Sequence, residues 1–169
     1  MSVGIQMQTD NEKNKLLLVK KIKSELKKNN SSKTADTAVF FCENFFKRVP
    51  FWVMKDDEPG LFAAMVQSQC EFMQQRSAGE FKIRVFNPDL QTDGWETQHT
   101  VVEMLNDDMP FLVDTASITM QELGLGVHLI VHPIFNVERD SKGRFKGCFP
   151  RSTAKSGKES FIHLHMDKQ

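Results

Sequence analysis

No tyrosine occurs among the 169 residues, which removes one possible general acid from any catalytic scheme. Cysteine is scarce: Cys42, Cys70 and Cys148 are odd in number, far apart and form no C-x-x-C pair. That is neither a disulfide framework nor a zinc signature, and it points to a reducing, cytoplasmic setting. Neither charge is in surplus, with 22 Lys+Arg against 22 Asp+Glu, so the basic excess that phosphate neutralisation needs is missing and no nucleic-acid partner is expected. Long apolar runs are lacking as well. The longest near the N-terminus, Leu16 to Val19, is too short for a signal-peptide core or a membrane span. No P-loop and no nucleophile elbow occur, and no histidine neighbours a cysteine in sequence to form a nucleophile–base pair. Gly124-Leu125-Gly126 supplies two thirds of a dinucleotide fingerprint, but Leu129 stands where the third glycine belongs. The run also follows a helical pattern and precedes a strand, the wrong order for a phosphate cradle, and it reads as a helix C-cap with a left-handed turn.

What is present is core material, with 40% apolar residues and 14 phenylalanines. This is enough for one ordinary domain or a small domain with helical arms. Residues 1–12 are polar and read as loose. From 13 to 28, Leu18, Ile22 and Leu26 recur at four-residue spacing among lysines, an amphipathic basic helix. It reads as a solvated helix packed on the domain or on a neighbour, in preference to a membrane-surface helix. Asn29 to Ser32 reads as a linker. A second helix over 35–48 carries Ala38, Phe41, Cys42, Phe45 and Phe46 on one stripe and ends at Val49-Pro50. A third, over 59–76, has Asp57 as its expected N-cap and Gly79 as its stop. The period then changes to two. Phe81, Ile83 and Val85 alternate with Lys82 and Arg84, predicting a half-buried strand. Further strands are predicted over 99–106, over 127–139 with Pro133 implying an edge or a bulge, over 144–149 after a hairpin turn at 140–143, and over 160–166. A helix opened by Pro110 runs to Leu123. The fold class is therefore α+β, with N-terminal helices followed by a mostly antiparallel sheet and one packed helix. The division is a basic arm and linker over 1–34, a helical segment over 35–79, and an α+β unit over 80–169.

Two constellations could carry chemistry. His128 and His132 share one strand face, as do His163 and His165, and neighbouring strands would bring these four candidates together for zinc. The alternative places all four on the polar, solvated face. Spacing alone lacks the tight ligand geometry that metals need, so no metal is assigned. The second is Asn106-Asp107-Asp108-Met109-Pro110-Phe111 with Asp114, where a strand ends, two acids follow and a helix opens. N-capping by Asp108 is the leading reading and is worth about 1 kcal/mol. The same free N–H groups could meet a ligand carboxylate, with Asp107 and Asp108 on an ammonium.

The runs Arg84-Val85-Phe86-Asn87-Pro88, Asp93-Gly94-Trp95, His99-Thr100-Val101-Val102-Glu103, Asn106 to Asp114, Gly124-Leu125-Gly126-Val127-His128, His132-Pro133 and Glu159-Ser160-Phe161 with His163 and Asp167 resemble the N-terminal region of the large bacterial NAD-dependent glutamate dehydrogenases. The resemblance covers roughly 40–167. It implies an ACT-like, ferredoxin-like unit over 80–169, of a type used for amino-acid sensing and subunit contacts. It implies no catalytic residue and no cofactor in this chain, with NAD used by the parent enzyme. The implied partners are downstream dehydrogenase domains or further subunits in a homo-oligomer, with an amino-acid effector. The rival reading is a stand-alone ACT-like amino-acid sensor or adaptor. Amino-acid-binding units of this type usually carry Gly after the proline that opens the first helix. Phe111 stands there and is expected to fill the ligand's space. The ACT pattern also needs a second helix and a further strand after Asp167, so the unit is expected to be incomplete at its C-terminus, with an exposed sheet edge.

Overall fold

The computed structural model describes the backbone of residues 2–29 and 32–169, and the side chains of 10–28 and 34–169. Helices α1 (Ser2–Asn29), α2 (Ser32–Phe46), α3 (Phe51–Met54) and α4 (Pro59–Phe72) come first. They are followed by β1 (Lys82–Phe86), β2 (Thr100–Asp107), α5 (Leu112–Glu122), β3 (Val127–Val131), β4 (Ile134–Arg139), β5 (Phe145–Phe149) and β6 (Ser156–Met166). The α+β class holds, with one antiparallel sheet ordered β1-β2-β6-β4-β5 and β3 also paired to β6.

Several boundaries differ from the sequence reading. Residues 2–12 continue α1 and are not loose; the first proline is Pro50, and Gln, Glu and Lys are good helix formers. Asn29 and Ser32 close and open helices, whereas residues 30 and 31 of the expected linker lie outside the described residues. The third helix stops at Phe72, well before Gly79, and its N-cap position is Glu58 rather than Asp57, with no side-chain cap bond. The short α3 was not anticipated.

Alternation on the strands sorts the sheet into two faces. Val101, Leu105 and Phe161 point to α1, α2 and α4, where they join Ile22, Leu26, Phe41, Phe45 and Phe46 in the main core. Phe41 stacks on Phe135 at 4.9 Å and meets Phe161 edge-on at 5.3 Å. Val102, Met104, Ile162, Leu164 and Met166 point the other way, to Ala116 of α5. The basic helix α1 is thus packed on the domain. Its Ile22 and Leu26 are fully buried, Lys23 pairs with Glu43 of α2, and Lys15 reaches the Lys47 carbonyl at 3.3 Å.

β1 reverses the expectation. Register pairs Ile83 with Met104 and Val85 with Val102, which puts both on the α5 face, beyond the helix's cover. Phe81, Ile83 and Val85 are all more than half exposed. The charged positions turn inward instead: the Arg84 guanidinium lies 4.7 Å from the Phe72 ring and the Lys82 ammonium 4.5 Å from it. Both side chains bury their stems while their cations find carboxylate, carbonyl and ring partners.

The predicted strand over 127–139 is split by Pro133. Pairing with β6 keeps the same register on both sides, from Val131↔His163 to Ile134↔Ser160. The Pro133 carbonyl still accepts from the Phe161 N–H at 3.0 Å, but proline returns no donor, so the ladder is interrupted there. Pro133 is therefore buried beside the central strand rather than at an edge. In the turn before β5, Gly143 has φ 77°, and a Cβ there would sit 2.4 Å from the Arg76 carbonyl oxygen, so only glycine fits.

Pro110 does not open α5. The helix begins at Leu112, and Phe111 occupies the N-cap position in the left-handed region, φ 67°, with its side chain 75% exposed. Asp108 makes no cap, and Phe111 projects into solvent instead of filling a ligand space. A phenylalanine in this conformation costs about 1 kcal/mol, and little burial is lost on removing it. Phe111→Gly should therefore raise stability by up to about 1 kcal/mol in urea titration; a loss of that size would mean the side chain is holding something.

Candidate functional site

β2 reads Thr-Val-Val-Glu-Met-Leu-Asn-Asp, and Glu103 is the one charge in its apolar middle. The strand period forces Glu103 inward beside Val101 and Leu105, where it is 0% exposed. Its Oε2 accepts from Arg84 Nε at 2.7 Å, and its Oε1 lies 2.9 Å from His163 Nδ1. Burial pushes the Glu103 carboxyl up, but the His163 hydrogen bond and charge together with Arg84 outweigh it and hold the group below its ordinary range. A carboxylate only accepts, so His163 carries a proton on Nδ1. Gln69 of α4 approaches the same nitrogen at 3.2 Å.

His163 Nε2 faces His165 Nε2 at 2.9 Å. The row continues through His99, 5.5 Å from His165 between ring centroids, to His128, stacked on His99 at 4.2 Å. At the surface end Asp167 accepts from Gly126 N–H at 2.6 Å and meets His128 Nε2 at 2.8 Å. The His128 hydrogen bond holds the Asp167 carboxyl below its usual range. Burial pushes His165 down to about 3, with the neighbouring imidazoles adding to the effect, and burial and His128 lower His99.

Three of the four sequence candidates, His128, His163 and His165, come together, and His99 joins them. His132 does not; it bonds Ser160 Oγ at 2.5 Å. Nor is the polar, solvated face the right place for all four. His163 is 1% exposed, because β6 turns its odd positions to the helical layer. Among the described residues, no group of three or more His, Cys, Asp or Glu side chains is arranged to hold a metal ion. Nucleophilic cysteine chemistry finds no support either, since burial raises the thiols of Cys42 and Cys148 to about 12 and that of Cys70 further.

A cavity of about 180 Å³ opens over the histidine row, between α2, α4 and the sheet, and Trp95 forms part of its wall. Trp95, Gln69, Arg84 and Glu103 were not foreseen as site residues. Glu103 could have been, since a lone acid inside an apolar strand signals a buried pair.

The segment Asn106 to Asp114 takes a different part of the molecule. Asn106 is buried and its amide donates to the Asp107 carbonyl at 2.9 Å. Asp107 is paired to Arg76, whose guanidinium also reaches Glu159 at 3.0 Å; Arg139 holds the same Glu159 at 2.7 Å. The Asp108 N–H donates to the Lys158 carbonyl at 3.0 Å, tying the loop to β6. Met109, Pro110, Phe111 and Asp114 are exposed. Asp108 and Asp114 have no salt-bridge partner among the described residues.

Residues 41–169 match the family model for the glutamate dehydrogenase ACT1 domain. The chain is similar to the NAD-specific glutamate dehydrogenase of Halomonas elongata, 31% identical over 159 residues that cover 93% of this chain and 10% of that protein. It is also similar to the NAD-specific glutamate dehydrogenase of Pseudomonas aeruginosa, 26% identical over 138 residues, 80% of this chain and 8% of that protein. The chain thus spans about a tenth of the length of these curated relatives. No solved structure matches it significantly.

Proposed function

This chain belongs to the glutamate dehydrogenase ACT1 domain family, and on that premise we propose that it is a non-catalytic, N-terminal regulatory and assembly segment of a large, cytoplasmic NAD-dependent glutamate dehydrogenase. The parent reaction converts glutamate, NAD and water to 2-oxoglutarate, ammonia and NADH. The observation that carries the assembly role is the uncovered apolar face of β1. Phe81, Ile83 and Val85 continue the α5-side core outward from Val102 and Met104, yet each is more than half exposed. An apolar strand face left open at a sheet edge invites docking by another surface. Downstream dehydrogenase domains or a second subunit would cover it. For an amino-acid effector, Asp108 of the loop and Asp114 in the first turn of α5 offer carboxylates, whereas Asp107 is engaged by Arg76.

The test uses this chain and the remainder of its polypeptide, produced separately and mixed. Light scattering after size exclusion should show a complex, or a homo-oligomer of the chain itself. Ile83→Lys with Val85→Lys should weaken the association by tenfold or more, since each buried aliphatic side chain is worth about 1.5–3 kcal/mol. A chain that stays monomeric both alone and in the mixture, or association untouched by the double substitution, rules the assembly role out.

A further inference from the structure

We propose that the cavity over the histidine row is a binding site for a small organic ammonium ion carried on a compact apolar body. The inference is independent of what docks on β1. It rests on the part of the wall that a ligand can touch.

One side of that wall is apolar. Val53 of α3, Leu61 and Phe62 of α4, and Leu129 of β3 line the cavity and are each only half-buried, so they meet whatever fills it. Phe46, itself buried, packs edge-on against Phe62 at 5.3 Å and holds that ring in place. An apolar cavity of about 150 Å³ is enough to take a benzene ring, so this one, at about 180 Å³, accepts a branched alkyl or ring-sized body.

The other side carries two exposed carboxylates, Asp57 from the turn between α3 and α4 and Glu96 from the loop between β1 and β2. The fold fixes where they stand. Pro59 opens α4 two residues after Asp57, and the buried Trp95, edge-on to Phe86 at 6.0 Å, pins the loop next to Glu96. Among the described residues neither carboxylate is paired with a cation. Lys55, the lysine nearest Asp57 in sequence, pairs with Asp56 at 3.7 Å instead. No lysine or arginine lines the cavity, and the imidazoles of His99 and His165, which burial keeps from charging near neutral pH, bring no positive charge to it.

This combination selects among ligands. An anion would leave water for a wall with two carboxylates and no cation to balance it. A free amino acid meets the same penalty through its own carboxylate. A neutral body gains from the apolar side alone. A bare metal ion finds too few ligands, since no group of three or more His, Cys, Asp or Glu side chains among the described residues is arranged to hold one. An ammonium on an apolar body uses both sides at once. Its N–H groups donate charge-assisted hydrogen bonds toward Asp57 and Glu96, and its carbons cover Leu61, Phe62 and Leu129.

3-Methylbutylammonium is the probe. 3-Methylbutan-1-ol carries the same body without the charge, and leucine carries the same body and ammonium with a carboxylate added. His99 and His165 line the cavity and His132 does not, so the imidazole resonances supply both signal and control. Titration of the ¹⁵N-labelled chain at pH 7.5 with 3-methylbutylammonium should move the His99 and His165 resonances and saturate, leaving His132 in place. The alcohol and leucine should bind about tenfold more weakly, the worth of one charge-assisted hydrogen bond. Asp57→Asn with Glu96→Gln, at two exposed positions, should bring the ammonium down to the affinity of the alcohol and leave the alcohol unchanged. Leu61→Trp, which fills the cavity, should abolish binding of both. If Leu61→Trp fails to fold, the titrations of the unaltered chain and of the double variant still decide. No saturable movement of His99 and His165, a parallel movement of His132, equal affinity for the alcohol or leucine, or an undiminished affinity in the double variant overturns the proposal.

Discussion

Replacing Glu103 by Ala is expected to lower the unfolding free energy by about 3–5 kcal/mol, the usual cost of removing one partner from a buried ion pair. The carboxylate is wholly buried and serves Arg84 and His163 at once. Without it, His163 remains 1% exposed with no anion beside Nδ1, and Arg84 keeps only Ser68 as a hydrogen-bond partner. The loss is therefore the desolvation of stranded groups, more than the removal of an attraction. Glu103→Gln should fall in between, because it keeps the volume and one acceptor oxygen. Urea unfolding followed by tryptophan fluorescence measures both. A Glu103→Ala loss below about 1 kcal/mol would show that water or a rearranged side chain readily replaces the carboxylate.

Acidification is expected to weaken the fold well before the carboxylates titrate. His165 has its proton affinity driven down to about 3 in the folded state, against an ordinary value of 6.5 when unfolded. Between these values the unfolded chain holds the extra proton, so stability rises with pH across that window and is lost as the pH drops through it. The steepest slope for one such group is about 1.4 kcal/mol per pH unit. The buried Glu103, with its lowered affinity, adds a loss of the same sign only below its ordinary range near 4.5. Urea titrations from pH 7.5 down to 5 should therefore show falling midpoints. His165→Gln should flatten that dependence while leaving the unfolding free energy at pH 7.5 within about 1–2 kcal/mol of the parent. An unchanged slope in the variant would place the acid sensitivity elsewhere.

The helical stripes were readable because Ile22, Leu26, Phe41, Phe45 and Phe46 serve the periodicity that a helix needs and a single core that uses it. The hairpin at 140–143 was equally plain, since Asp140 and Gly143 are the residues its turn demands. β1 misled, because the period of two tells which residues share a face but not which face is covered. Both faces of β2 and β6 are buried, and the cover on the α5 side does not extend to β1. Helix caps were less legible than helix bodies. α4 begins at Pro59 as read, with its N-cap one residue past Asp57, but α5 begins two residues past Pro110 because its loop is tethered by other contacts such as Asp108 to Lys158. The histidine row was half visible. His163 and His165 follow from strand alternation, whereas their alignment with His99 depends on β2 lying beside β6, a pairing across some sixty residues that no local pattern encodes.

β6 is the hub of the sheet: it pairs with β2 along one side, and with β4 and then β3 along the other. Every one of those partners precedes it in the chain. During synthesis at about 5–20 residues per second, β2, β3 and β4 must wait on the ribosome with open edges until Ser156 to Met166 has emerged. Assembly of this sheet is therefore a late, all-at-once event closed by long loops, slow for its size and exposed to misassociation in the interval. A nascent chain arrested between Arg139 and Ser156 would present β2, β3 and β4 with no common neighbour.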